Sequence, residues 1–318
     1  MARKPDTSRS PVRYKGRSVI RVKSIFPLAL SLAVCATGPA LAQSTSPAVG
    51  DPAPDSAYPA GNDAFVIPVK GGAMNALIYT ASGAAPHPTL ILFHGFPGNE
   101  QNLDLAQAAR RAGWNVLTMH YHGSWGSPGD FSFGGAADDA HAAITFLRNP
   151  AIAAKYHIDP KRIALAGHSM GGFMAADAAA DDSQVIGLFL IDAWDIAATG
   201  RALATEAGRK AWHQEATGDL PPLAHTSEAA LSSEMTANLD RFDLTHRIAA
   251  YGKRPIAIYG ATRGNGDGNN GYFKAARDAG NTQVTGAIWP TDHPFSDKRI
   301  ALSEALVAWL GTLAPGPR

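Results

Sequence analysis

Eight apolar runs of six to eight residues, separated by stretches of helical periodicity, set the narrowest limit on what this chain can fold into. "AFVIPV" (Ala64–Val69) and "ALIYTA" (Ala76–Ala81) read as an opening hairpin joined through Gly71-Gly72. "TLILFH" (Thr89–His94) is apolar without alternation, as suits a strand buried on both faces. "WNVLTMHY", "RIALAGH", "VIGLFLID" (Val185–Asp192), "PIAIYGA" (Pro255–Ala261) and "QVTGAIW" (Gln283–Trp289) follow, with helical patterns such as "NLDLAQAARRAG" and "MGGFMAADAAADD" between them. This alternation predicts an α/β fold with a mostly parallel sheet flanked by helices, and a ligand site at the carboxyl ends of the strands. The rhythm stops between Ala193 and Lys253, where helical periodicity runs on without a strand. That stretch, about 193–253, is expected to form a helical cap whose aromatics, among them Trp194, Trp212, His213 and Phe242, help line a pocket.

The first 42 residues follow a different pattern. Eight basic residues precede "IFPLALSLAVCA" (Ile25–Ala36), and Ala40-Leu41-Ala42 forms a small-residue cleavage site before Gln43. Together these describe a secretory signal peptide, so the protein is expected to be exported, to the periplasm or beyond. The apolar run is too short for a membrane span. Without this leader, 20 basic residues face 26 acidic ones, a net charge of −6 that offers nothing to nucleic acid. The single cysteine, Cys35, lies in the leader, which excludes a cysteine nucleophile and thiolate metal sites from the rest. Residues 43–62, rich in Ser, Pro, Ala and Gly, read as a flexible tether.

Gly167-His168-Ser169-Met170-Gly171 fits G-x-S-x-G, with an apolar strand before it and an alanine-rich helix after it. That context marks a nucleophile elbow, in which a tight turn exposes a serine and forbids side chains at the two glycines. An attacking serine needs a base, an orienting carboxylate and oxyanion donors. "HGFPG" (His94–Gly98) ends a buried strand, and Pro97 has no N–H, so the expected donors are the N–H groups of Phe96 and Met170. His293, in "WPTDHPF" after the last strand, is the expected base. Asp267 in "GATRGNGDGNNG" lies between nucleophile and base in chain order and is the expected acid, with Asp192 or Asp195 after the preceding strand as the alternative. His94 and His168 are expected to brace the oxyanion loop and the elbow, and His120 and His122 to line the pocket. The one carboxylate among Asn265, Asp267 and Asn269 is thin for calcium, and no metal or cofactor is expected.

From His94 to Leu310 the chain resembles an α/β-hydrolase of the prolyl-oligopeptidase-like and dienelactone-hydrolase-like branch, on "HGFPG", "YHGSWGSPGDF" (Tyr121–Phe131), "GHSMGG" and "DHPFSDKRIAL". The resemblance implies an eight-stranded, mostly parallel sheet in a domain over 63–314, a Ser169–Asp267–His293 triad, and cofactor-free ester or amide hydrolysis. His122 stands where relatives often carry arginine, and the loop before Asp267 is longer than usual. The expectation is a secreted serine esterase acting through an acyl-enzyme, with His122 and Trp194 among the substrate contacts. The alternative is a serine peptidase acting on short peptides. A peptide's free amine would call for paired glutamates, and Glu206, Glu215, Glu228 and Glu234 are widely spaced in the cap, which favours esters.

Overall fold

A computed structural model describes residues 46–84 and 86–313. The residues read as a signal peptide and the start of the tether, 43–45, lie outside the described residues. Eight strands form one sheet: β1 (Gly61–Val69), β2 (Gly72–Thr80), β3 (His87–Phe93), β4 (Asn115–His120), β5 (Ile158–His168), β6 (Val185–Ile191), β7 (Ile256–Arg263) and β8 (Val284–Asp292), in the order β1-β2-β4-β3-β5-β6-β7-β8. β1 pairs antiparallel with β2, and β2 antiparallel with β4, while every pairing from β4 to β8 is parallel. The helices are α1 (Leu103–Arg111), α2 (Phe133–Arg148), α3 (Pro150–Lys155), α4 (Met170–Asp181), α5 (Ile196–Ala202), α6 (Glu206–Asp219), α7 (Glu228–Ala237), α8 (Leu244–Tyr251), α9 (Gly266–Asp278) and α10 (Arg299–Leu313).

Side-chain alternation divides the core into two layers. Ile91, Phe93, Ile163, Leu165, Leu188 and Leu190 pack with α2, α4 and α8 on one face. Leu90, Leu92, Ala164, Ala166, Phe189 and Ile191 pack with α1 and α10 on the other. Burial on both faces is why these strands read as unbroken apolar runs. Helix α4 is buried around most of its surface from Met170 to Ala179 and needs the close approach its glycines permit. A Cβ on Gly171 would lie 2.3 Å from the carbonyl oxygen of Phe93.

Two expectations about organisation are revised. The described part of the tether does not hang free: Arg111 donates from Nε to the carbonyl of Pro47 (2.6 Å) and from Nη2 to that of Ala48 (3.0 Å), and β1 begins inside the stretch at Gly61. The cap is also shorter than 193–253, because α8 packs against α4 and α9 as a helix of the main body. Helices α5 to α7 remain as the cap, stitched to the loop after β4 by Trp125 N–H to Pro222 O (2.8 Å) and Ala224 N–H to Gly123 O (2.7 Å). Glu234 on α7 accepts the first free N–H groups of α2, from Phe133 (2.9 Å) and Gly134 (2.7 Å), an anion at a helix N-terminus.

Five buried or half-buried histidines contribute to the pH dependence of the fold, His120 among them with a pKa lowered by burial. Burial lowers the pKa of His94 from 6.5 to about 4 and that of His168 from 6.5 to about 3. Both rings are neutral in the native state, so the unfolded chain takes up protons first as pH falls below about 6.5, and stability is lost down through those values. His122 and His141 act oppositely: hydrogen bonds to Asp139 and Asp177 raise their pKa, and their contribution is present below about 6.5 and fades as pH rises. The downward shifts of His94 and His168 are the largest of these. At about 1.4 kcal/mol per tenfold change in proton affinity, they amount to several kcal/mol. Urea midpoints are therefore expected to fall steeply between about pH 6.5 and 4, with His168→Gln flattening part of the fall; a His168→Gln curve parallel to wild type would refute this assignment.

Candidate active site

Ser169 occupies the turn between β5 and α4 with φ 55° and ψ −121°, a conformation that side chains rarely adopt. The turn is held from both sides. Ser169 N–H donates to Ile191 O (2.9 Å), and its carbonyl accepts from Gly172 N–H (2.9 Å) and Trp194 N–H (3.0 Å). A Cβ on Gly167 would sit 1.9 Å from the carbonyl oxygen of Gly171, so both glycines of the motif are sterically required.

His293 follows β8 and shares with Ser169 the wall of a cavity of about 540 Å³ at the carboxyl ends of the strands. Its Nδ1 lies 2.5 Å from Oδ2 of Asp192, the residue that ends the β6 run. Asp192 is fully buried. Its Oδ1 accepts from Ala261 N–H (2.8 Å), its Oδ2 also accepts from Asn265 N–H (2.8 Å), and Asn265 Nδ2 donates to the Asp192 carbonyl (3.0 Å). Gly264 makes room for this arrangement, since a Cβ there would meet Oδ2 at 2.1 Å. With Nδ1–H directed at the carboxylate, Nε2 of His293 carries the lone pair.

This geometry corrects the expected acid. Asp267 falls in the first turn of α9, exposed, and is not brought to His293. The glycine- and asparagine-rich stretch that read as a loop winds into helix from Gly266, because Asn269, Tyr272 and Ala276 form a buried stripe. That winding points Asp267 outward. Asp195, the other alternative, caps α5 by accepting from Ala198 N–H (3.1 Å) and faces Arg201 (3.4 Å).

The β3 exit loop crosses beside the elbow, where a Cβ on Gly95 would lie 3.0 Å from Cβ of Ser169. Met170 is the first residue of α4, so its N–H has no partner within the helix. No acceptor among the described residues takes the N–H of either Phe96 or Met170. The Phe96 ring packs among Phe131, Phe133, Trp194 and Trp212 beneath the cap. Trp194 lines the cavity and donates from Nε1 to Thr199 Oγ1 (2.7 Å).

His122 is the second correction. It is buried, its backbone N–H donates to Asp139 Oδ2 (2.7 Å), and its Nδ1 lies 2.9 Å from both carboxylate oxygens. It ties the loop after β4 to α2 and does not line the cavity. His120 does not line it either: its Nδ1 lies 3.3 Å from Nε2 of His94, whose Nδ1 approaches Gly95 O (2.7 Å). His168 lies behind His293, with Nε2 3.0 Å from the His293 carbonyl, fixing the loop that carries it. Asn265 and Tyr272 on the body and Glu215 on the cap also line the cavity, a place the sequence reading gave to none of them.

An eight-stranded, mostly parallel sheet with a serine elbow at the end of β5 and a histidine after β8 is the frame of an α/β hydrolase. Residues 90–315 match the Alpha/beta hydrolase family, and the chain belongs to it. An uncharacterized protein of Mycobacterium tuberculosis (strain H37Rv) is 31% identical over 125 residues, 39% of this chain and 43% of that one, and one from strain CDC 1551 / Oshkosh matches to the same extent. The chain thus spans less than half the length of these curated relatives. Among solved structures, a highly thermostable carboxyl esterase from Bacillus coagulans superposes with TM-score 0.61 at 16% identity, covering 80% of this chain and 99% of that one. A thermostable carboxylesterase cloned from a metagenomic library gives 0.55 at 20%, covering 84% and 92%. A puromycin-hydrolyzing peptidase of Mycobacterium tuberculosis gives 0.61 at 17%, covering 82% and 40%. At such identities the likeness is one of fold.

Proposed function

We propose that the protein is a serine hydrolase of carboxylic esters, with Ser169 as nucleophile, His293 as base and Asp192 as the acid. The observation that carries this is the meeting of Ser169 and His293 in one cavity, with a fully buried carboxylate on Nδ1 of the histidine. Asp192 holds the imidazole with Nε2 free to accept a proton. Ser169 Oγ attacks the ester carbonyl as its proton passes to Nε2. The N–H groups of Phe96 and Met170 receive the oxyanion, each donor of this kind being worth about 3 kcal/mol of barrier. The proton then goes from Nε2 to the departing alcohol oxygen, and water, activated by the same nitrogen, releases the acid. The basic, apolar and small-residue pattern of residues 1–42 supports export, so the substrate is one met outside the cytoplasm. Among the described residues, no helix is long and apolar enough to cross a membrane.

The chain from Gln43 should hydrolyse nitrophenyl esters of rising acyl length, with aminoacyl and prolyl anilides in the same panel and Ser169→Ala as blank. Ester turnover with an optimum at short to medium acyl length is expected for a cavity of this volume, together with labelling of one serine, Ser169, by a fluorophosphonate. Anilide turnover in the absence of ester turnover would replace the esterase by a peptidase. Labelling elsewhere would remove Ser169 from the chemistry.

A further inference from the structure

Helix α6 presents Gly208, Ala211, Trp212 and Glu215 to the cavity, positions spaced i, i+3, i+4 and i+7 along one face. Three of the four are small or apolar, as an inward face should be. Glu215 is the charged exception. Nothing among the described residues neutralises it: no hydrogen bond or ion pair reaches its carboxylate, the residues four positions away are Ala211 and Asp219, and no lysine or arginine lines the cavity. The other cap glutamates are engaged or lie off this wall. Glu228 binds His213 (2.7 Å), Glu234 caps α2, and Glu206 opens α6. Asp195, the other carboxylate on the wall, is held by Ala198 N–H and faces Arg201.

The cavity is therefore walled by Trp194, Trp212 and Tyr272, with one unengaged carboxylate among them. Aromatic faces and a carboxylate together favour a cation, by quadrupole attraction and by charge. We infer that Glu215 is a specificity-determining residue of this pocket, selecting esters that carry an ammonium group over neutral isosteres. The inference rests on the hydrolase reading above. Glu215 is exposed on the cavity wall, and desolvation by the protein around it, together with Asp219, raises its pKa while His293 opposes the rise. An entering cation would favour the charged form of this carboxylate.

The test uses isosteric pairs that differ only in charge. Butyrylthiocholine is compared with S-(3,3-dimethylbutyl) thiobutyrate for the alcohol side, and the nitrophenyl ester of 4-(trimethylammonio)butanoate with that of 5,5-dimethylhexanoate for the acyl side. In at least one pair the cationic member is expected to have a kcat/KM about 10-fold higher, the scale of a partly exposed ion pair reinforced by aromatic contact. Glu215→Gln should bring that ratio close to one, and Glu215→Lys should invert it. A ratio unchanged by Glu215→Gln would overturn the assignment. So would an equal loss for both members of a pair, because Glu215 would then act on His293 rather than on the substrate. Binding provides a readout free of turnover. Butyltrimethylammonium should bind Ser169→Ala protein about 10-fold more tightly than it binds the Ser169→Ala, Glu215→Gln double variant, by calorimetry. Equal or undetectable binding in both refutes the cation site. Cation binding without turnover of any ester would instead refute the hydrolase reading and leave the cation site standing.

Discussion

Ser169→Ala, His293→Ala and the double variant are expected to lose ester turnover to nearly the same extent, roughly a million-fold in kcat. In the proposed mechanism the two side chains serve one proton transfer, so removing either disables the other, and the second substitution finds little left to remove. A residual rate above that in water should survive in all three, because the backbone donors at Phe96 and Met170 do not depend on either side chain. Ser169→Ala keeps a Cβ at a position with φ 55°, so the elbow and the stability of the fold should change little. Single-turnover kinetics on an activated ester would check this, with melting curves to establish that each variant is folded. Losses that multiply in the double variant would mean that serine and histidine act in separate steps. Turnover by Ser169→Ala above about one percent of wild type would exclude the acyl-enzyme.

The sheet and the elbow were legible for the same steric reasons that build them. β3, β5 and β6 are covered on both faces, so no polar alternation interrupts their sequences and their order along the chain can be read directly. The glycines flanking Ser169 are fixed by contacts under 2.5 Å that any side chain would make, and a constraint of that hardness leaves a trace in the sequence. The carboxylate that meets His293 left a weaker trace. Chain order places Asp192 and Asp267 equally well between Ser169 and His293. What separates them is the backbone path from Arg263 to Asn269, which glycine and asparagine content misrepresents as open loop. A buried stripe of Asn269, Tyr272 and Ala276 overrides that local preference and winds the segment into α9. One signal did point to Asp192: a carboxylate closing the apolar run "VIGLFLI" sits where a parallel strand delivers its last residue to the site.

His122 went astray for a related reason. Asp139 lies on the inward face of α2 with Ala136, Ala140 and Ala143, so its carboxylate had to find a buried partner, and His122 is that partner. A charge on an apolar stripe is visible in sequence, but which residue answers it is a matter of tertiary structure. Glu215 on α6 differs: it lines the cavity but stays exposed, so no buried partner is forced on it.

Asp192→Asn is expected to lower kcat by about 10⁴-fold, while Asp267→Asn leaves it within about two-fold of wild type. The carboxylate of Asp192 accepts from Ala261 N–H, Asn265 N–H and His293 Nδ1, and an amide can offer only one oxygen to three donors. Whichever way that amide turns, one backbone N–H or the histidine loses its acceptor. If its NH₂ faces His293, Nδ1 must become the acceptor, the proton moves to Nε2, and the base is no longer available to Ser169. A buried donor left unpaired also costs about 1–3 kcal/mol, so Asp192→Asn should lower the melting temperature as well. Kinetics are therefore measured well below the lowered midpoint, and fluorophosphonate labelling should slow in parallel with kcat. Asp267 sits exposed on the first turn of α9, where its loss removes at most a favourable charge at a helix N-terminus, about 0.3–1 kcal/mol of stability and nothing from the site. If Asp267→Asn proved the damaging substitution and a folded Asp192→Asn kept more than a tenth of wild-type activity, the 2.5 Å contact to His293 would not be the one that orients the base. The buried position of Asp192 would then have to be explained by the fold alone, through its bonds to Ala261 and Asn265.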